Sequence, residues 1–201
     1  MSAESNRGPT AAGRLLVISG PSGVGKGTII DALLAMKEFP LKLSVSATTR
    51  APRDGEENGV QYRFLKKDEF LRWKEQGEFL ECCEVYSGGD WYGTPRRPVE
   101  EQLAAGYWVV LEIDVKGARQ VSRAYPDAVT IFILPPSIES LRQRLEGRHS
   151  ETSESLRRRL AQAEEELSHA DEYSVKIVND SRERAVNELA AFLRAGDIGR
   201  G

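Results

Sequence analysis

No part of this chain restricts its folds more than RLLVIS (14–19) running directly into GPSGVGKGT (20–28). The aliphatic run Leu15–Ile18 is short and continuous, which reads as a strand buried on both faces, the kind found inside parallel sheets. A helical pattern then starts at about Lys26, with Ile29, Ile30, Leu33, Leu34 and Met36 on its inner side and Pro40 beyond its end. A strand that enters a glycine-rich turn and leaves as a helix aims backbone N–H groups, the helix N-terminus and the Lys26 ammonium at one place, where phosphate oxygens bind. Gly20, Gly23 and Gly25 supply the unusual dihedrals and close approach that Cβ atoms would obstruct. The segment Gly20, Pro21, Ser22, Gly23, Val24, Gly25, Lys26, Gly27 and Thr28 is therefore a phosphate-binding loop. A plain glycine-rich helix cap would leave the spacing of Lys26 unexplained.

Gly27 stands where such loops carry Ser or Thr. In many nucleotide hydrolases that hydroxyl binds Mg²⁺ directly. Without it, phosphates and water must hold the ion, which Mg²⁺ accepts because it dehydrates reluctantly. The departure favours an enzyme in which two nucleotides supply the oxygens, a nucleotide-to-nucleotide kinase, over a switch GTPase. Thr28 still reaches a phosphate from the first helical turn.

The same alternation returns in YWVVLEID (107–114), AVTIFIL (128–134) and SVKIVN (174–179), each followed by a helical pattern. It predicts an α/β fold, a parallel sheet flanked by helices. The stretch 46–98 breaks the rhythm, being rich in Gly, Arg, Glu and aromatics with short strand candidates such as QYRFL, and reads as an inserted subdomain. EGRHSETSE (146–154) joins two amphipathic helices, the second with Leu156, Leu160, Ala163 and Leu167 on one face, and suits a short mobile lid over 146–159. Residues 1–12 are expected to form a flexible tail, and the core is expected to comprise 13–45, 99–145 and 160–201.

With 28 basic and 31 acidic residues the net charge is −3, so no global field draws the chain to nucleic acid or anionic lipid. Cys82 and Cys83 are adjacent, too few and too badly spaced for a disulfide framework or a tetrahedral zinc site. No apolar run has signal-peptide or membrane-span length, so the expected location is the cytoplasm. Monomer and homodimer both stay open.

At SVSATTRAPRDGEENGVQY (44–62) the chain resembles the guanylate kinase family, which converts GMP and ATP to GDP and ADP. The likeness extends from Leu15 to about Leu193 through SGPSGVGKGT, YGTP, LEIDVKGA, ILPPS, RLEGR and IVND. It implies a P-loop NTPase core in which 46–98 is a GMP-binding subdomain, with GMP and ATP as the small-molecule substrates and Mg²⁺ as cofactor. It assigns Arg50 and Arg53 to the GMP phosphate, with Tyr62 and Tyr92 adding hydroxyl donors and Glu56 orienting the arginines. Guanidinium forks match phosphate geometry and stay charged.

The resemblance places Glu81 and Asp114 at the guanine pairing edge, with the hydroxyls of Ser46 and Thr94 near its O6 and N7. That edge presents two donors, and ionised carboxylates only accept. Adenine would leave a carboxylate unpaired. Taken alone, Glu81 fits a surface acid on a strand edge better than a base reader. Glu112 and Asp114, two apart at a strand end, share one face. Glu112 is the candidate for the Mg²⁺ hydration shell, and capping of the next helix is the competing role for both acids. Arg144, Arg148 and Arg159 match the family's flap arginines, whereas Arg142, Arg157 and Arg158 read as solvated helix charges. Asn179 and Asp180 fall beside the adenine of ATP, with helix capping again the rival.

The chain departs from the family pattern at SGGDW (87–91), which is longer than usual, at Lys116 and at His149. The alternatives in view are a non-catalytic module that keeps this fold to bind proteins, and an adenylate or thymidylate kinase. The retained Lys26 and flap arginines speak against the first, and the 44–62 segment and the carboxylate pair against the others.

Overall fold

The computed structural model describes residues 13–85, 89–146 and 153–196. Its elements in chain order are β1 (Arg14–Ser19), α1 (Lys26–Ala35), β2 (Leu41–Leu43), β3 (Ala47–Thr48), β4 (Arg63–Phe64), α2 (Lys67–Glu75), β5 (Phe79–Val85), β6 (Asp90–Pro95), α3 (Arg96–Ala104), β7 (Trp108–Glu112), α4 (Val115–Ala124), β8 (Val129–Leu134), α5 (Ile138–Glu146), α6 (Ser153–Leu167), β9 (Val175–Val178) and α7 (Arg182–Ala195).

Five strands form an all-parallel sheet in the order β2-β7-β1-β8-β9. Alternate side chains of a strand point to opposite faces, and both faces here are covered. Leu16 and Ile18 of β1 therefore join one core layer with Val110, Ile131, Ile133 and Ile177. Leu15 and Val17 join the other with Val109, Leu111 and Phe132. This double burial is why these strands read as continuous apolar runs. Each such side chain contributes roughly 1.5–3 kcal/mol by leaving water.

The segment between β2 and α3 builds a second sheet, β4-β3-β6-β5, in which β3 pairs parallel with β4 and β6 pairs antiparallel with β3 and β5. It has a small core of its own. Phe70 of α2 stacks on Phe79 with ring centres 4.4 Å apart, and Trp73 and Trp91 close around them.

The structure differs from the sequence reading in four places. Met36, placed on the inner side of α1, is the residue after its last turn and is exposed. LKL (41–43) is a strand, too short to show periodicity, whose register is set by β7. Asp90 and Trp91, read as part of a loop, begin β6, because Trp91 packs against Phe70. Ser153 and Glu154, read as the end of the irregular stretch 146–154, already belong to α6. Arg148, His149 and residues 86–88 lie outside the described residues. Among the described residues no helix is long and apolar enough to cross a membrane.

Candidate functional site

The C-terminal ends of β1 and β7 are stitched together. Ser19 Oγ donates to the Ile113 carbonyl (2.8 Å), and the Ile113 N–H donates to the Ile18 carbonyl (3.3 Å). This junction brings the loop after β1 and the acids after β7 to one place, the edge where parallel α/β sheets bind ligands.

The loop is tightly held. The Val24 N–H donates to the Pro21 carbonyl (3.1 Å), and Lys26 Nζ folds back to donate to the Gly20 (2.5 Å) and Pro21 (3.3 Å) carbonyls. Gly25, immediately before α1, has φ 97°, a left-handed conformation that residues with a side chain rarely adopt. Burial lowers the pKa of Lys26, and the nearby carboxylates of Glu112, Glu166 and Asp114 oppose that shift. Thr28 is exposed in the first turn.

Two elements beyond the loop clamp Val24. Asn179, after β9, donates from Nδ2 to the Val24 carbonyl (2.7 Å), and Arg144 of α5 donates from Nη1 to the same oxygen (3.1 Å) and from Nη2 to the Asn179 carbonyl (2.9 Å). Arg159 of α6 donates from Nη2 to Ser22 Oγ (2.9 Å). The cap of α7 is Ser181, which accepts from the Arg184 N–H, so neither Asn179 nor Asp180 performs that role. Asp180 instead accepts from the Ser181 N–H (2.6 Å) and pairs with Arg184. Arg142, Arg157 and Arg158 are exposed on their helices.

On the second sheet, alternation along β5 and β6 puts Glu81 and Cys83 opposite Thr94 and Tyr92. Glu81 is buried, and Thr94 Oγ1 donates to its Oε1 (2.7 Å). The single hydroxyl hydrogen of Thr94 is thus directed at Glu81. Burial pushes the Glu81 pKa up to about 7, Thr94 restrains the rise and the charge of Asp114 adds to it. Asp114 caps α4, with Oδ1 accepting from the Gly117 N–H (2.8 Å) and Oδ2 from the Cys83 thiol (3.3 Å). The capping role read as a rival for Asp114 is therefore real, and it leaves Oδ2 to accept from the Cys83 thiol.

Arg50 anchors a cluster beside these acids. Its Nε donates to Tyr92 Oη (3.2 Å) and its Nη2 to Glu56 Oε1 (2.9 Å), while Tyr62 lies under the guanidinium at 5.5 Å and edge-on to Tyr92. Glu56 Oε2 accepts from the backbone N–H of Arg53 (2.7 Å). Glu56 therefore orients the Arg50 side chain but only the backbone of Arg53, whose side chain is exposed. The Arg50 guanidinium holds the Glu56 carboxyl below its usual pKa. Ser46 is partly buried beside β3, where its carbonyl accepts from the Arg63 N–H.

Glu112 does not cap α4. Its carboxylate reaches the phosphate loop, where a Cβ on Gly27 would lie 3.7 Å from Oε2. Burial raises its pKa and Lys26 opposes the rise. A hard oxygen ligand facing the loop position that lacks a hydroxyl, Gly27, suits a hydrated divalent cation. No group of three or more His, Cys, Asp or Glu poised for a metal occurs among the described residues.

Sequence reading did not assign Cys83, Gly117 or Gln120. Cys83 lay two residues from Glu81 and Gly117 three from Asp114, spacings that put each pair on one face. Gln120 meets its partner far away in sequence, which no local pattern reveals.

The guanylate kinase family model matches residues 12–196. The guanylate kinase of Rubrobacter xylanophilus is 53% identical over 183 residues, covering 90% of this chain and 94% of its own. That of a Synechocystis species is 49% identical over 181 residues, covering 90% and 93%. The crystal structure of guanylate kinase from Anaplasma phagocytophilum superposes with a TM-score of 0.76 at 36% identity, covering 94% of this chain and 88% of that one.

Proposed function

The chain belongs to the guanylate kinase family and is an ATP:GMP phosphotransferase, and on that premise we propose how its residues divide the work. The γ-phosphoryl group of ATP passes in line to a phosphate oxygen of GMP. That oxygen is largely deprotonated at neutral pH, since the second phosphate pKa is about 6, and no general base is needed. The residues have to hold two polyanions end to end and neutralise the charge between them.

The loop Gly20–Thr28 receives the ATP phosphates, with the half-buried Lys26 as their cation, and Asn179 flanks the adenine. Arg50, Arg53, Tyr62 and Tyr92 bind the GMP phosphate, a role supported by the preset orientation of Arg50 on Glu56 and Tyr92. Arg144, Arg148 and Arg159 approach the transferring group. Mg²⁺, when bound, neutralises the phosphate oxygens of both nucleotides, and Glu112 would hold its water shell. The subdomain 46–98 and the lid close over both nucleotides and exclude water that would intercept the phosphoryl group.

One observation carries the choice of GMP: Glu81 and Asp114 converge at Gly117 with each carboxylate already ordered by a neutral donor. Two acceptors suit the N–H and amino group of guanine, and adenine would leave one of them without a donor. A coupled assay with ATP and Mg²⁺ tests this. GMP should give rapid ADP release, whereas AMP, dTMP and no acceptor give little; brisk turnover of AMP or dTMP in place of GMP refutes the base assignment.

A further inference from the structure

Helix α4 grips strand β5 at three consecutive residues. Gly117 leaves the room that the Glu81 carboxyl occupies, since a Cβ there would lie 2.6 Å from Oε2. Gln120 holds the backbone of the next residue, donating from Nε2 to the Cys82 carbonyl (3.1 Å) and accepting at Oε1 from the Cys82 N–H (3.3 Å). Asp114, the cap of the helix, accepts at Oδ2 from the Cys83 thiol (3.3 Å). Residues three apart are neighbours on a helix surface, so Asp114, Gly117 and Gln120 form one continuous seam. Behind it, Leu80 of β5 enters the same core layer as Val115, Ala118 and Val121.

The two sides of this seam belong to different sheets. β5 carries Glu81 within the four-stranded sheet, whereas Asp114 follows β7 of the five-stranded one. What sets the separation of the two acids is therefore how α4 is held on β5. An amide that both donates to and accepts from one residue fixes the strand in a single register along the helix, because any slip breaks both bonds. The thiol then ties Asp114 to the strand that carries Glu81. Both partners are neutral, and a carboxylate oxygen accepts more than one hydrogen bond, so Asp114 keeps its charge and room for a guanine hydrogen. Misplacing a contact by about 1 Å can cost on the order of 10²-fold. We infer that Gln120 and Cys83 are positioning residues for base recognition, which lock β5 on α4 and hold Glu81 and Asp114 at the separation that the two guanine donors require. This deepens the reading of these acids as guanine acceptors and rests on it.

Steady-state kinetics of the full chain with GMP and with inosine monophosphate, which keeps the ring N–H but lacks the amino group, test it. Wild type should prefer GMP. Gln120→Ala, Gln120→Asn, whose amide is too short to span both bonds, and Cys83→Ala should each lower that preference about three- to tenfold and leave KM for ATP unchanged. Cys83→Ser differs from Cys83→Ala by one hydroxyl and should restore the preference to within about twofold of wild type. A folded Gln120→Ala enzyme with undiminished preference for GMP overturns the inference, because a residue that only holds the chain together would lower Tm and leave the ratio alone. A Cys83→Ser enzyme no better than Cys83→Ala overturns it too, and this pair decides the matter if Gln120→Ala does not fold. Wild type that uses both acceptors equally refutes the base reading itself, and the inference falls with it.

Discussion

Gly117 leaves the space that Glu81 fills: a Cβ on Gly117 would lie 2.6 Å from Glu81 Oε2, and the Gly117 N–H holds Asp114. One helical glycine thereby sets both carboxylates proposed to read the base. In Gly117→Ala the end of a flexible side chain has to move, while the helix gains about 0.5–1 kcal/mol from alanine. The variant should remain folded, with KM for GMP raised about tenfold or more and ATP binding unchanged. Steady-state kinetics varying each substrate separately check the split.

With a pKa of about 7, Glu81 is largely protonated below neutrality and ionised above it. The guanine-reading role proposed for Glu81 needs the ionised acceptor, so GMP should bind more tightly as pH rises from 6 to 8. Glu81→Gln should weaken GMP use far more than ATP binding and should lose the part of the pH response due to this carboxyl. The pKa is higher in the folded chain than in the unfolded one, so Glu81 lowers stability progressively as pH rises from about 4.5 to 7. The glutamine variant should accordingly match or exceed wild type in Tm at pH 8, as thermal melts at pH 5 and 8 would reveal.

Lys26 is the ammonium within the phosphate loop, bonded to two of its carbonyls. Lys26→Ala should lower kcat by a factor on the order of 10³ while circular dichroism shows an intact fold. Near-normal turnover would remove Lys26 from the mechanism.

Glu56 ties Arg50 Nη2 to the Arg53 backbone. Glu56→Ala should raise KM for GMP several-fold with little change in kcat, and Arg50→Lys, which lacks the planar fork, should raise KM and lower kcat. A Glu56→Ala enzyme with an unaltered KM for GMP would show that Arg50 orders itself without help.

In Gly25→Ala a Cβ would meet Asn179 Nδ2 at 2.7 Å, at a backbone angle that alanine rarely adopts. A stability loss of about 1–3 kcal/mol and weakened ATP binding are expected together, measurable by denaturant unfolding and analogue titration. Loss of only one would separate the loop's shape from its contact with Asn179.

The parallel sheet was legible because burial on both faces writes continuous apolar runs, as in Leu15–Ile18 and Val129–Leu134. The phosphate loop was legible because its spacing is local. β2 escaped notice because three residues carry no period, and the short strands of the second sheet are set by tertiary pairing. The competing roles of Asp114 turned out compatible, since one oxygen caps a helix while the other accepts a thiol.

Strand β5 lies at the margin of its sheet, yet its backbone there does not stand open: Gln120 of α4 donates to the Cys82 carbonyl (3.1 Å) and accepts from the Cys82 N–H (3.3 Å). A single amide side chain imitates the neighbouring strand that is missing. Unpaired strand margins recruit other chains and seed aggregates, so this mimicry guards the molecule against self-adhesion at the place where its small sheet is most vulnerable.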